Sequence, residues 1–131
     1  MKNKKRFYFI GIIFWIVFMC VLLFAPSSAF SKTPSLFHIP NSDKIVHFIM
    51  FFVLSFLLYK NLLFIRHYPH KKISTIILSS IFLFGLLTET IQGLTFNILK
   101  RSFSLYDLLA DVLAAIVVII VFYFKNKEIK K

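Results

Sequence analysis

The stretch ISTIILSSIFLFGLLTETIQGLTF, residues Ile73 to Phe96, decides the architecture. It holds no lysine or arginine and a single acid, Glu89. A bilayer core ~30 Å thick is crossed by about 20 helical residues at ~1.5 Å each, so the run is long enough to span it. Its apolar residues form a block instead of recurring at the intervals of a surface helix, the pattern of a helix with no water-facing side. Three further runs share the pattern: Phe7 to Ala25, Ile45 to Ile65, and Phe103 to Phe124. The expectation is an all-α fold, a four-helix transmembrane bundle forming one integral membrane domain over residues 1–131, with helices at about 7–25, 44–65, 73–96 and 103–124.

Composition agrees. The chain is 59% hydrophobic and 16% charged, with 18 Phe and 3 Gly, whereas a soluble domain carries about a quarter charged residues. The net charge of +11 would suit nucleic acid if the cations shared a folded polar surface. They sit between the apolar runs, so no nucleic-acid partner is expected. Cys20 is the single cysteine, which excludes an intrachain disulfide. Ser27-Ser28-Ala29 resembles a signal-peptidase site, but the first run exceeds a usual signal core and reads as a retained anchor.

The connections set the orientation. Pro26, Pro34 and Pro40 keep the first connection non-helical, Asn41-Ser42-Asp43 reads as a helix start, and Pro69 interrupts the second connection. Twelve cations fall on one side: Lys2, Lys4, Lys5 and Arg6; Lys60, Arg66, Lys71 and Lys72; Lys125, Lys127, Lys130 and Lys131. Lys32, Lys44, Lys100 and Arg101 fall on the other. The positive-inside rule then places both termini in the cytoplasm, beside a membrane crossed four times. His67 and His70 lie in the basic inner loop and suit anionic lipid.

Asp43, Glu89, Asp107 and Asp111 consequently gather toward the outer side. Glu89 lies eight residues before Asn97, and Asp111 eight after Phe103, which puts both ~12 Å below the outer end. Gly85, Glu89 and Gln92 share one helical stripe. Ser104, Asp107, Asp111, Ala114 and Ala115 share another, and Asp43 shares a face with His47. An acid at mid-membrane costs ~2.5–3.5 kcal/mol on insertion scales, so these side chains are expected inside the bundle. The expected pocket comprises Asp43, Lys44, His47, Glu89, Gln92, Arg101, Asp107 and Asp111, with Arg101 reaching Glu89 and Asp107 from above.

Asp43-Lys44-x-x-His47-Phe48, then Glu89-x-x-Gln92, then Arg101, Asp107 and a polar residue at 111 resemble the VanZ-like family of small bacterial membrane proteins. The motif residues run from Asp43 to Asp111, and the VanZ-like region covers about 43–118. The family pattern has Asn where this chain has Asp111, and glycines where it has Ala114 and Val118. Protonated, Asp111 can imitate Asn by donating and accepting at once. The resemblance implies a cell-envelope context, since the family's namesake is associated with resistance to the glycopeptide antibiotic teicoplanin.

Each polar residue also has a plainer reading. Ser104-x-x-Asp107 fits a capping box, Asp43 suits a helix start, and Gln92 can bond between helices. Arg101 can anchor at headgroups, and Glu89 can serve a structural ion pair. A metal site could be drawn from His47, Glu89, Asp107 and Asp111. Catalytic zinc sites usually have two or three His or Cys ligands, however, so no metal and no cofactor are expected. No phosphate loop or nucleophile elbow appears, and an enzyme is not the first expectation. The first reading is a pocket that binds a cell-envelope or lipid-linked ligand, with membrane lipids and oligomeric copies as further partners. Its alternatives are an intramembrane enzyme acting on a lipid-linked envelope precursor, a proton-coupled transporter, and a structural or assembly protein.

Overall fold

A computed structural model describes residues 2–25, 42–66 and 68–129. The proline-containing connection, including Lys32 and Asn41, and the final Lys130 and Lys131 lie outside the described residues, as does His67. Five helices follow in chain order: α1 Lys2–Leu23, α2 Ser42–Arg66, α3 His70–Leu94, the short α4 Phe96–Leu99, and α5 Leu105–Ile129. Among the described residues there is no strand. Four helices, α1, α2, α3 and α5, are long and apolar enough to cross a membrane.

Where the helices begin and end differs from the sequence expectation for identifiable reasons. Pro69 occupies the position before α3 with extended backbone, φ −62° and ψ 148°, and the helix starts at His70. Proline at this boundary has no N–H to lose and cannot extend the helix backward past itself. At its far end α3 stops at Leu94, and Thr95 begins a separate turn that becomes α4. Lys100 ends that turn in the left-handed region, φ 54° and ψ 34°, with its N–H on the Phe96 carbonyl. Such a conformation costs a non-glycine residue about 1–3 kcal/mol. The turn reverses the chain there and presents Arg101 at the same end of the bundle as the start of α2.

Helices α2, α3 and α5 pack on one another, and α1 lies against α2. Only 17% of the apolar window of α1 is buried, about half the share of α2, α3 and α5. It is the peripheral helix. Trp15 nevertheless ties it to α2, its indole N–H donating to the Met50 carbonyl at 2.9 Å. The shared core is built from Met19 and Leu23 of α1, Met50, Phe51 and Leu54 of α2, Ile73, Ile77 and Ile81 of α3, and Ala114, Ala115 and Val118 of α5. On the opposite surface, Phe14, Val21, Leu83, Leu87, Leu113 and Val121 are exposed. So much apolar surface would be a liability in water and is ordinary against hydrocarbon.

The two ends of the bundle are chemically distinct. At one end Tyr59 stacks on Phe122 with ring centroids 4.0 Å apart, and its hydroxyl shares a 2.6 Å hydrogen bond with His70 Nδ1. Lys60 there lies 5.1 Å from the Phe122 ring, within reach of a cation–π attraction. The other end holds four of the five acids, Asp43, Glu89, Asp107 and Asp111.

Candidate functional site

Each long helix of the packed trio contributes to a buried polar cluster at that second end. Helix α3 buries Ile73, Ile77, Ile81, Gly85, Thr88, Glu89 and Gln92, a stripe at three- and four-residue intervals. The stripe is apolar at its start and polar in its last turns. Asp111 of α5 continues a stripe of Ala114, Ala115 and Val118, all inaccessible or nearly so. His47, in the second turn of α2, faces both helices and is 1% exposed.

The His47 ring stands between two carboxylates. Its Nδ1 lies 3.1 Å from Asp111 Oδ1, at hydrogen-bond distance. Its Nε2 lies 3.7 Å from Glu89 Oε1, inside ion-pair range and beyond a hydrogen bond. Phe51, one turn along, stacks on the ring with planes 12° apart and restricts its tilt.

Glu89 is fixed from its other side by the start of α5. Ser104 caps that helix: its Oγ accepts the Asp107 N–H at 3.3 Å. In a complete capping box the side chain of Asp107 would in turn accept the Ser104 N–H. Here Glu89 Oε2 accepts it instead, at 2.8 Å. The substitution of one carboxylate for another leaves Asp107 Oδ1 buried without a hydrogen-bond partner. Glu89 Oε1 and Asp111 Oδ2 are in the same state. One nitrogen or oxygen from each of His47, Glu89 and Asp107 lies within 4.8 Å of the others. Three acids and one imidazole thus converge on a space that water scarcely reaches. Leaving such oxygens unpaired is costly, so this arrangement is suited to holding a cation or protons.

A cavity of about 60 Å³ adjoins the cluster. His47 is one of its walls, Asp43 and Arg101 supply charge, and Leu22, Leu23, Val46 and Met50 supply apolar surface. Asp43 is exposed, which places that side of the cavity at the protein surface.

The eight residues expected in the pocket therefore divide. His47, Glu89, Asp107 and Asp111 form the buried cluster, while Asp43 and Arg101 border the cavity beside it. Lys44 stands 5.9 Å from the Tyr106 ring. Gln92 turns toward α1 and donates to the Leu23 carbonyl at 2.8 Å, satisfying one of the acceptors a helix end leaves open. This is the bond between helices that its plainer reading anticipated. His47 stands between Glu89 and Asp111, and Arg101 lies at the cavity wall beside it.

Three contributors lie outside the eight residues expected in the pocket. The end of α1 supplies Leu22 and Leu23 to the cavity, Ser104 supplies a main-chain donor, and Gly85 supplies space. A side chain on Gly85 would place Cβ 2.8 Å from Asp111 Oδ2. Gly85 and Ser104 share stripes with Glu89 and Asp111, which is a usable signal. Nothing local links residue 104 to residue 89. Set against family models, curated proteins and solved structures, the chain has no match.

Proposed function

We propose that this chain is a multi-pass, VanZ-like protein of a bacterial plasma membrane whose outward-facing pocket binds an end group of a cell-envelope or lipid-linked molecule and lowers sensitivity to glycopeptides such as teicoplanin. The observation that carries this reading is the cavity beside His47, where Arg101 and Asp43 meet four apolar side chains. A few placed polar groups on apolar walls are the usual makeup of a ligand site. Drug-sized pockets measure about 300–1,000 Å³, so about 60 Å³ admits a terminal carboxylate or phosphate and not a whole antibiotic. Arg101 is suited to such an anion, because a guanidinium carries five N–H donors and serves a protein partner and a ligand together. The spacing of Asp43, His47, Glu89, Gln92, Arg101 and Asp107 supplies the family context.

The test is teicoplanin susceptibility of a sensitive host expressing the wild type, Arg101→Ala or Glu89→Gln at matched membrane abundance. Protection by the wild type that both substitutions remove is the expected result. A well-expressed wild type that gives no protection would count against the glycopeptide reading.

Orientation is part of the same proposal, supported by the twelve-to-four distribution of cations. In a Cys20→Ser background, Ser102→Cys should react with a membrane-impermeant maleimide on intact cells. Pro69→Cys should react only after permeabilisation. The reverse labelling would invert the topology and turn the pocket inward.

One observation favours a second reading, an intramembrane enzyme: a histidine held by a carboxylate is a frequent general base. His47 has that arrangement with Asp111. Modification of a lipid-linked precursor by purified protein, abolished in Glu89→Gln, would raise this reading above simple binding.

A further inference from the structure

We propose that His47, Glu89 and Asp107 bind one divalent first-row metal ion of the zinc or manganese class, with Asp111 orienting the histidine. The inference stands apart from the ligand reading of the neighbouring cavity.

With its proton on Nδ1, donated to Asp111 Oδ1 at 3.1 Å, His47 presents a lone pair at Nε2. That lone pair faces Glu89 Oε1 at 3.7 Å. Two acceptors confront each other, and a positive species between them resolves the conflict. A proton on Nε2 would leave a separation too long for a hydrogen bond. A metal ion bonded to each at about 2.0–2.2 Å separates its donors by about 3–4 Å, and 3.7 Å lies in that range.

The remaining groups take the roles such a site requires. Metal-bound histidines almost always donate their second ring N–H to a carboxylate or carbonyl, which fixes the tautomer. Asp111 does this here. Glu89 is held by the Ser104 amide through Oε2, so that Oε1 remains available. Asp107 has a buried oxygen, Oδ1, without a hydrogen-bond partner, because Glu89 has taken the place its carboxylate would occupy in the capping box. One nitrogen or oxygen of each of the three residues already lies within 4.8 Å of the others. Rotation of side chains by roughly half an ångström closes them to coordination distance.

Charge and ligand type narrow the ion. Glu89 and Asp111 are 0% exposed, and buried carboxylates need positive charge beside them. One imidazole nitrogen with carboxylate oxygens suits zinc or manganese better than a purely oxygen-seeking ion. The single histidine that argued against a catalytic zinc centre is no obstacle to a site that only holds its ion. A bound dication would also join α2, α3 and α5 at one point, beside the wall of the cavity.

The experiment uses the full chain, purified in detergent with a histidine-free tag. It is loaded separately with Zn²⁺ and with Mn²⁺, desalted, and assayed for metal by mass spectrometry. The wild type should retain about one ion per chain. Glu89→Gln and Asp107→Asn, each nearly isosteric, should lower retention at least tenfold. Asp111→Asn should keep the stoichiometry at saturation while weakening affinity about 10–100-fold, the usual effect of a lost orienting partner. Folded wild type that retains neither metal would overturn the proposal. So would retention that both Glu89→Gln and Asp107→Asn leave intact, which would locate the ion elsewhere. If the substitutions prevent folding, pulsed EPR of Mn²⁺-loaded wild type decides. Coupling to one imidazole nitrogen supports the site, and its absence refutes it. Because the readout is metal content, a failure here is distinct from a failure of the susceptibility test.

Discussion

Glu89→Ala is expected to lower the unfolding free energy by about 3–5 kcal/mol, and Glu89→Gln by only about 1–2 kcal/mol. Truncation to alanine removes the acceptor of the Ser104 N–H and the carboxylate facing His47 together. The first loss leaves a partly buried main-chain donor without its acceptor at the start of α5, a cost of about 1 kcal/mol by itself. The second removes the partner of a buried ionisable ring, and the deleted side chain leaves a void at a site that is 0% exposed. Glutamine keeps the volume, and its amide oxygen can still accept from Ser104, so it separates the hydrogen bond from the charge. Reversible unfolding in mixed micelles, with all proteins prepared free of added metal, measures both values. Equal losses in the two variants would show that charge outweighs the Ser104 bond. A gain in stability would show that repulsion among the three acids dominates, and would cast the cluster as strain retained for binding.

Gly85→Leu should be the most damaging substitution on the contact between α3 and α5. A Cβ at that position meets Asp111 Oδ2 at 2.8 Å and Leu108 Cδ1 at 3.0 Å before any further carbon is added. Leucine adds more carbons in a region already closed to solvent, and overpacking of this kind costs about 1–3 kcal/mol or more. It should also drive the Asp111 carboxylate off His47, because Asp111 has no other room at 0% exposure. Gly85→Ala is the graded control. Its methyl meets the same oxygen, but alanine recovers about 0.5–1 kcal/mol of helix preference, so its loss should be much smaller. Unfolding free energies report the packing, and the ¹⁵N shifts of the His47 ring report the hydrogen bond to Asp111. An unchanged ring signal in a folded Gly85→Leu protein would mean that the helices separate without disturbing the cluster.

Much of this site was legible because helical periodicity is a local property. Glu89 and Gln92 were placed on the inner stripe of α3, and Asp111 with Ala114 and Ala115 on that of α5, and all five are buried. The cost of an acid in hydrocarbon gives that inference its force. The capping reading of Ser104 and Asp107 was half right: the hydroxyl caps the helix, while the reciprocal bond goes to Glu89. That exchange could not be read locally. Residues 89 and 104 are separated by a turn whose course depends on α4 and on the left-handed Lys100.

The amino-acid chain alone sets the class of structure. Four apolar runs of membrane length require helices, since a chain in hydrocarbon must satisfy its own main-chain hydrogen bonds. It also determined which face of each helix carries the acids. Helix packing decides which polar groups meet. It set His47 between Glu89 and Asp111, freed an oxygen of Asp107, turned Gln92 toward α1, and brought Leu22 and Leu23 into the cavity wall. The reason is geometric: periodicity fixes direction around one helix axis, whereas contacts at the 3 Å scale depend on the rotation and offset of neighbouring helices. Those are fixed by close packing at positions such as Gly85, where the absence of a single carbon admits a carboxylate.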